Sequence, residues 1–198
     1  MSEAKRPVFV LVAAALAAAA AAFLAKDALI QSAAPSPGGA RPAAAKRTVP
    51  DGPLIVLGRD GARRDLASKT GKGLILHFWA TWCAPCREEM PDLVKFVRDT
   101  KDDPRVEFLA VSVDEDWKVV DGWLKEHGIA GLPVALDPKG TIAGRYGATG
   151  YPETFFITPS GEIVKQLVGA ADWSKPEARS FVAEFSRASS AASTAAGR

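Results

Sequence analysis

Hydrophobic positions along the chain change their spacing several times, and each change marks an element. Leu54-Ile55-Val56-Leu57 and Arg63-Arg64-Asp65-Leu66 flank Asp60-Gly61, the signature of a hairpin. Residues 73–80 are apolar almost throughout, which predicts a central strand buried on both faces. After it, Cys86, Met90, Leu93, Val94 and Val97 recur at helical spacing on one face, with Pro91 expected to kink the helix. Residues 106–114 predict a second buried strand. Residues 116–128 predict a helix with Trp117, Val120 and Leu124 aligned and Gly128 as its stop. A short strand follows at 133–136. Residues 153–157 and 163–168 flank Pro159-Ser160-Gly161-Glu162, a second hairpin whose strands must run antiparallel. Ser174 and Glu177 form a capping box for a closing helix with Ala178, Phe181, Val182 and Phe185 inward. The pattern is α/β: a βαβ half, then a ββα half, around a mixed central sheet with an added N-terminal β-hairpin.

Outside this domain the pattern breaks down. Residues 7–25 are uncharged and show no polar face. As a helix they would span about 28 Å, enough for a bilayer core. Lys5 and Arg6 precede them and argue for a cytoplasmic N-terminus, although Lys26 and Arg41 dilute the bias. Residues 1–31 are therefore expected to be a cytoplasmic stub and signal-anchor, with the domain outside the cytoplasm. A signal cleaved near Ser32-Ala33-Ala34, giving a secreted form, is the alternative. Residues 32–50 are Ala, Pro, Gly and basic residues and read as a flexible tether; 51–187 are the domain; 188–198 are Ser/Ala-rich and read as a disordered tail.

Charge divides at the same boundary. Residues 1–50 hold six basic residues against Glu3 and Asp27, a balance of +4, while the whole chain carries +2. The remainder is therefore −2. A slightly acidic domain without a basic run is a poor nucleic-acid binder, and no nucleic-acid partner is expected.

The only two cysteines stand in Trp82-Cys83-Ala84-Pro85-Cys86, where the central strand gives way to a helix. This is the arrangement a dithiol redox centre needs. The first sulfur lies at a helix N-terminus, where unpaired N–H groups and the helix dipole favour a thiolate. The second sits one turn on, within reach to close or resolve a disulfide. A structural bridge over so short a loop would constrain little unfolded chain. A zinc site would need two further ligands, and His77 and His127 are the only histidines, so no metal site is expected. No cofactor is expected beyond the Cys83–Cys86 disulfide itself. Cys83 is expected to attack and Cys86 to resolve.

The run from Phe78 through Trp82-Cys83-Ala84-Pro85-Cys86-Arg87-Glu88-Glu89-Met90-Pro91 resembles the TlpA/ResA-like branch of the thioredoxin superfamily, as does Gly150-Tyr151-Pro152-Glu153-Thr154-Phe155. The resemblance covers about residues 51–187. It implies a thioredoxin fold and a membrane-anchored thiol–disulfide oxidoreductase whose catalytic domain lies in the periplasm. Pro152 takes the place of the superfamily's cis-proline beside the active site. Having no N–H, it leaves the backbone of Tyr151 to pair with a substrate strand. Trp82 is expected to shield the sulfurs. Glu89, on the Cys86 face, has two readings: an acid–base group for Cys86, or a carboxylate complementing the helix dipole. Glu88 should face solvent. His77 departs from the asparagine frequent in this branch, and reads either as a core residue or as a proton relay.

The resemblance further implies partners: a membrane thiol carrier as electron donor, and protein disulfides as substrates, among them apocytochrome c or copper-oxidase assembly proteins. The leading function is an extracytoplasmic disulfide reductase such as serves cytochrome c maturation. A copper-delivery protein is the alternative, for which Met90 and His127 are poor ligand candidates. A thiol peroxidase would want Thr or Ser at position 80, which is Ala80. A disulfide-forming oxidase stays open, though Pro85 between the cysteines is more typical of reductants.

Overall fold

The computed structural model describes residues 47–67 and 70–196, with side chains as far as residue 190. The expected signal-anchor at 7–25, the cleavage alternative at 32–34 and the tether up to residue 46 lie outside the described residues. Among the described residues no helix is long and apolar enough to cross a membrane.

The chain folds as the hydrophobic pattern predicts, with additions. Strand β4 (Gly73–Trp79) is central, parallel to β5 (Val106–Ser112) and antiparallel to β7 (Glu153–Ile157). With β1 (Arg47–Thr48), β2 (Ile55–Leu57), β3 (Arg63–Asp65), β6 (Val134–Leu136) and β8 (Glu162–Val168), they form one mixed sheet of order β1-β8-β7-β4-β5-β6-β2-β3. Its two faces carry separate cores because β4 alternates. Ile75 and Trp79 join α1 (Ala84–Thr100), α2 (Trp117–Glu126) and α4 (Pro176–Ala196) through Met90, Leu93, Phe96, Val120, Val182 and Phe185. Leu76 and Phe78 pack on the other face with Leu109, Phe155 and, from α3 (Thr141–Tyr146), Ile142 and Tyr146.

Several boundaries differ from expectation. Arg47 and Thr48, placed in the tether by composition, pair with Ile163 and Glu162 at the sheet edge. Composition predicts a disordered tail at 188–198, yet α4 continues to Ala196. Ser189 is fully buried there, because Gly73 lets α4 approach β4: a Cβ at Gly73 would lie 2.8 Å from the Phe185 ring. Strand β5 ends at Ser112, two residues short of Asp114. Helix α1 runs without a break through Pro91. The capping box at Ser174 does not form; its hydroxyl and N–H both turn to Asp172, and Pro176 opens the helix. Helix α3 was not foreseen: Asp137 caps it by accepting from the N–H groups of Ile142 and Ala143 at 2.9 and 3.0 Å.

Candidate functional site

The expected redox pair, Cys83 and Cys86, stands at the strand-to-helix turn. Cys83 is the N-cap of α1, and its sulfur accepts from the N–H of Cys86 at 3.2 Å. The two form a disulfide, S–S 2.04 Å. Cys83 retains 6% exposure and Cys86 none. Both belong to the core cluster containing Trp79, Met90 and Trp173, against which half-buried Tyr151 packs. Trp82 next to them is 63% exposed, a large apolar surface open to contact.

The turn is held from behind by residues that sequence reasoning missed. Asp114 is buried two residues past the end of β5, where it accepts from the Thr81 N–H (2.9 Å), the Thr81 hydroxyl (2.7 Å) and the Ser112 hydroxyl (2.6 Å). A buried carboxylate needs such donors. Together they fix the residue immediately before Trp82-Cys83. The only signal in sequence was a polar residue closing an apolar strand, which also fits an ordinary strand end.

On the opposite side of the pair, the peptide bond between Tyr151 and Pro152 is cis. The Tyr151 ring meets Trp82 edge-on at 6.0 Å, so the two expected substrate-contacting aromatics stand together. Burial, followed by the nearby charges of Asp137 and Glu153, raises the phenol's pKa and keeps it neutral. The carbonyl of Pro152, a buried residue, accepts from Gly169 N–H at 2.9 Å. Val168 is 70% exposed beside it, at the end of β8.

Glu89 and His77 meet in the interior. Glu89 lies in the second turn of α1 and is buried, while Glu88 is exposed as expected. Its Oε2 accepts from Ala171 N–H (2.7 Å) and Trp173 Nε1–H (3.1 Å), both from the segment before α4. This engagement is not that of a carboxylate complementing a helix dipole. Its Oε1 faces His77 Nε2 at 3.3 Å, and neither atom has a hydrogen-bond partner among the described residues. His77 is fully buried and its Nδ1 lies 2.9 Å from Thr154 Oγ1, two residues past Pro152. Burial pushes the Glu89 carboxyl up to about 7, against the pull of its two donors, and pushes His77 down to about 3. Trp173, missed in the sequence because it stands in a small, polar stretch, is the residue that closes this pocket.

The residues considered for copper are not brought together. Met90 is in the core, whereas His127 is exposed at the end of α2, stacked on Trp123 at 4.2 Å. Among the described residues no group of three or more His, Cys, Asp or Glu is placed to hold a metal ion.

Comparison with known proteins places the chain in a family. Residues 46–166 match the AhpC/TSA family. The thiol-disulfide oxidoreductase ResA of Bacillus subtilis is 37% identical over 120 residues, 60% of this chain and 66% of that protein, so the match spans just under two thirds of the relative. A putative thiol:disulfide interchange protein DsbE from Chlorobium tepidum superposes with a TM-score of 0.61 at 28% identity, covering 71% of this chain and 96% of that one. StoA from Bacillus subtilis superposes with a TM-score of 0.52 at 27% identity, covering 61% and 90%. With its Cys83–Cys86 disulfide at the head of α1 and a cis-proline leading into β7, the chain belongs to the AhpC/TSA family and is a thioredoxin-fold protein similar to the ResA thiol-disulfide oxidoreductases.

Proposed function

We propose that the protein is a thiol–disulfide oxidoreductase that reduces protein disulfides outside the cytoplasm, in a pathway such as cytochrome c maturation. The observation that carries this reading is the asymmetry of the pair: both sulfurs head one helix, but only Cys83 reaches the surface. In the reduced protein the Cys83 thiolate, favoured by the α1 N-terminus, attacks one sulfur of a substrate disulfide. That S–S bond breaks, a mixed disulfide forms at Cys83, and the departing substrate sulfur takes up a proton. Cys86 then yields its proton to Glu89, and its thiolate attacks Cys83 Sγ. The Cys83–Cys86 disulfide closes, the second substrate thiolate leaves, and two electrons have passed to the substrate. A dithiol donor, a membrane thiol carrier, must restore the pair. A carboxyl titrating near 7 is matched to this proton transfer at neutral pH. Trp82 and Tyr151 form the contact surface for the substrate chain, and the backbone before Pro152 its strand-pairing edge.

The location follows from the uncharged N-terminal segment, read as an anchor in the inner membrane. The similarity to ResA and DsbE supports the thiol–disulfide reading over copper delivery. Trapping tests the function directly. Cys86→Ser should accumulate a mixed disulfide with a model substrate through Cys83, visible as a reducible mass increase. Cys83→Ser should form none. An adduct on Cys86 instead would reverse the assignment.

A further inference from the structure

The two oxygens of Glu89 are not equivalent. Oε2 already accepts two N–H groups, from Ala171 and Trp173, so it offers no place for a proton without losing a donor. A protonated Glu89 therefore carries its proton on Oε1, whose polar neighbour is His77 Nε2 at 3.3 Å. To accept that proton in a hydrogen bond, Nε2 must be bare, and a neutral imidazole then holds its own proton on Nδ1. Nδ1–H in turn has an acceptor, Thr154 Oγ1, at 2.9 Å. When Glu89 is ionised the requirements reverse. Oε1 needs a donor, Nε2–H supplies it, and bare Nδ1 accepts from the Thr154 hydroxyl, which can serve either way. Once Oε1 and Nε2 align across their 3.3 Å gap, each state satisfies both carboxyl oxygens and both ring nitrogens, and the mixed states leave one orphaned.

We propose that Glu89, His77 and Thr154 form a single proton store, in which gain or loss of one proton at Glu89 Oε1 switches the tautomer of His77. His77 is a positioning residue in this scheme; it keeps one ring proton and stays neutral throughout the Glu89 titration. The two states differ in total by the one proton that Cys86 releases when it resolves the mixed disulfide. The groups facing the line carry no competing charge. Phe108 from β5 and Trp173 flank the imidazole at 6.2 and 6.4 Å, Ala171 and Trp173 face the carboxyl, and Cys86 is the titratable neighbour on α1. Burial holding the carboxyl near 7 while holding the imidazole neutral is consistent with one proton shared by the line over the intervening range. A proton gained on α1 is thereby registered at Thr154, on the strand that begins with the Pro152 edge.

This rests on Glu89 as the acid–base group, but it is tested without catalysis. The probe is nitrogen-15 NMR of the imidazoles of the full-length oxidised chain across pH, with His127→Gln used to assign the second ring. The expected result is an Nδ1–H tautomer of His77 below the Glu89 titration and an Nε2–H tautomer above it, with one common midpoint. Glu89→Gln should abolish the switch, and Thr154→Val should shift its midpoint while Thr154→Ser restores it. A single tautomer across the titration, or an imidazolium at His77 within it, overturns the proposal. So does a switch that persists in Glu89→Gln. If the switch is found but the protein reduces no disulfide, it is the functional reading that fails and the proton store that stands.

Discussion

The rim of the site and its floor are built to opposite rules. At the rim, Trp82 is 63% exposed, and Tyr151 and Cys83 keep partial access. On the floor, Cys86 and His77 have no exposure and Glu89 little, and their polar atoms face only one another and a few fixed donors. The rim can meet a partner of varied shape because it makes few specific demands. The floor suits the proposed proton transfer because burial raises the proton affinity of Glu89 and lowers that of His77. The lesson is that two cysteines three positions apart can differ in depth as well as in their place at a helix end, the difference on which the proposed division into attacking and resolving thiol rests.

The sharpest ways to break this division act on the floor. Glu89→Gln should slow resolution by Cys86 by on the order of 10²-fold near neutral pH, and should flatten the pH dependence of turnover. Glu88→Gln, altering an exposed carboxylate one position away, should leave both unchanged. Matching pH–rate profiles for wild type and Glu89→Gln would remove the proton-transfer role.

Stability against pH gives a smaller but independent reading of the floor. The folded Glu89 titrates near 7 against an ordinary 4.5, so between those values the folded chain holds the extra proton and stability falls as pH rises. His77 titrates near 3 against an ordinary 6.5, so there the unfolded chain holds the extra proton and stability rises with pH. Where the windows overlap, from 4.5 to 6.5, the two slopes oppose each other. Denaturant midpoints of the oxidised protein should therefore climb from about pH 3 to 4.5, level off, and decline from 6.5 toward 7. His77→Asn should lose the acid-side climb and Glu89→Gln the decline; a profile unchanged by either substitution would show that neither group is held as described.

The rim should respond least. Trp82→Ala removes an exposed ring in contact with Tyr151 and should lower kcat/KM about fivefold, on the order of 1 kcal/mol, through KM. A loss in kcat instead would mean that Trp82 acts on the sulfurs and not on the substrate chain.

Much of this was legible in the sequence because it is local or periodic. The apolar run of β4, the Cys83–Cys86 spacing and the hairpin around Gly161 each declare themselves within about ten residues, and the resemblance at Pro152 supplied the cis bond that spacing alone would not favour. The misses depend on contacts between distant segments. Arg47 and Thr48 become a strand only because β8 pairs with them, and residues 188–196 stay helical where Ser189 packs over Gly73. Helix α3 spans too few residues to show a period and depends on the Asp137 cap. The meeting of Glu89 and His77 needs α1 packed over β4 and Trp173 brought from the far end of the chain, so neither residue's role could be read from its neighbours.

The reduction potential of the Cys83–Cys86 pair tests the central claim most directly. Equilibrated against a thiol–disulfide buffer of known poise, the protein should lie on the reducing side, at or below about −200 mV. A value near the roughly −120 mV of strong oxidants, with disulfides formed in a test protein faster than they are reduced, would contradict the reductase assignment.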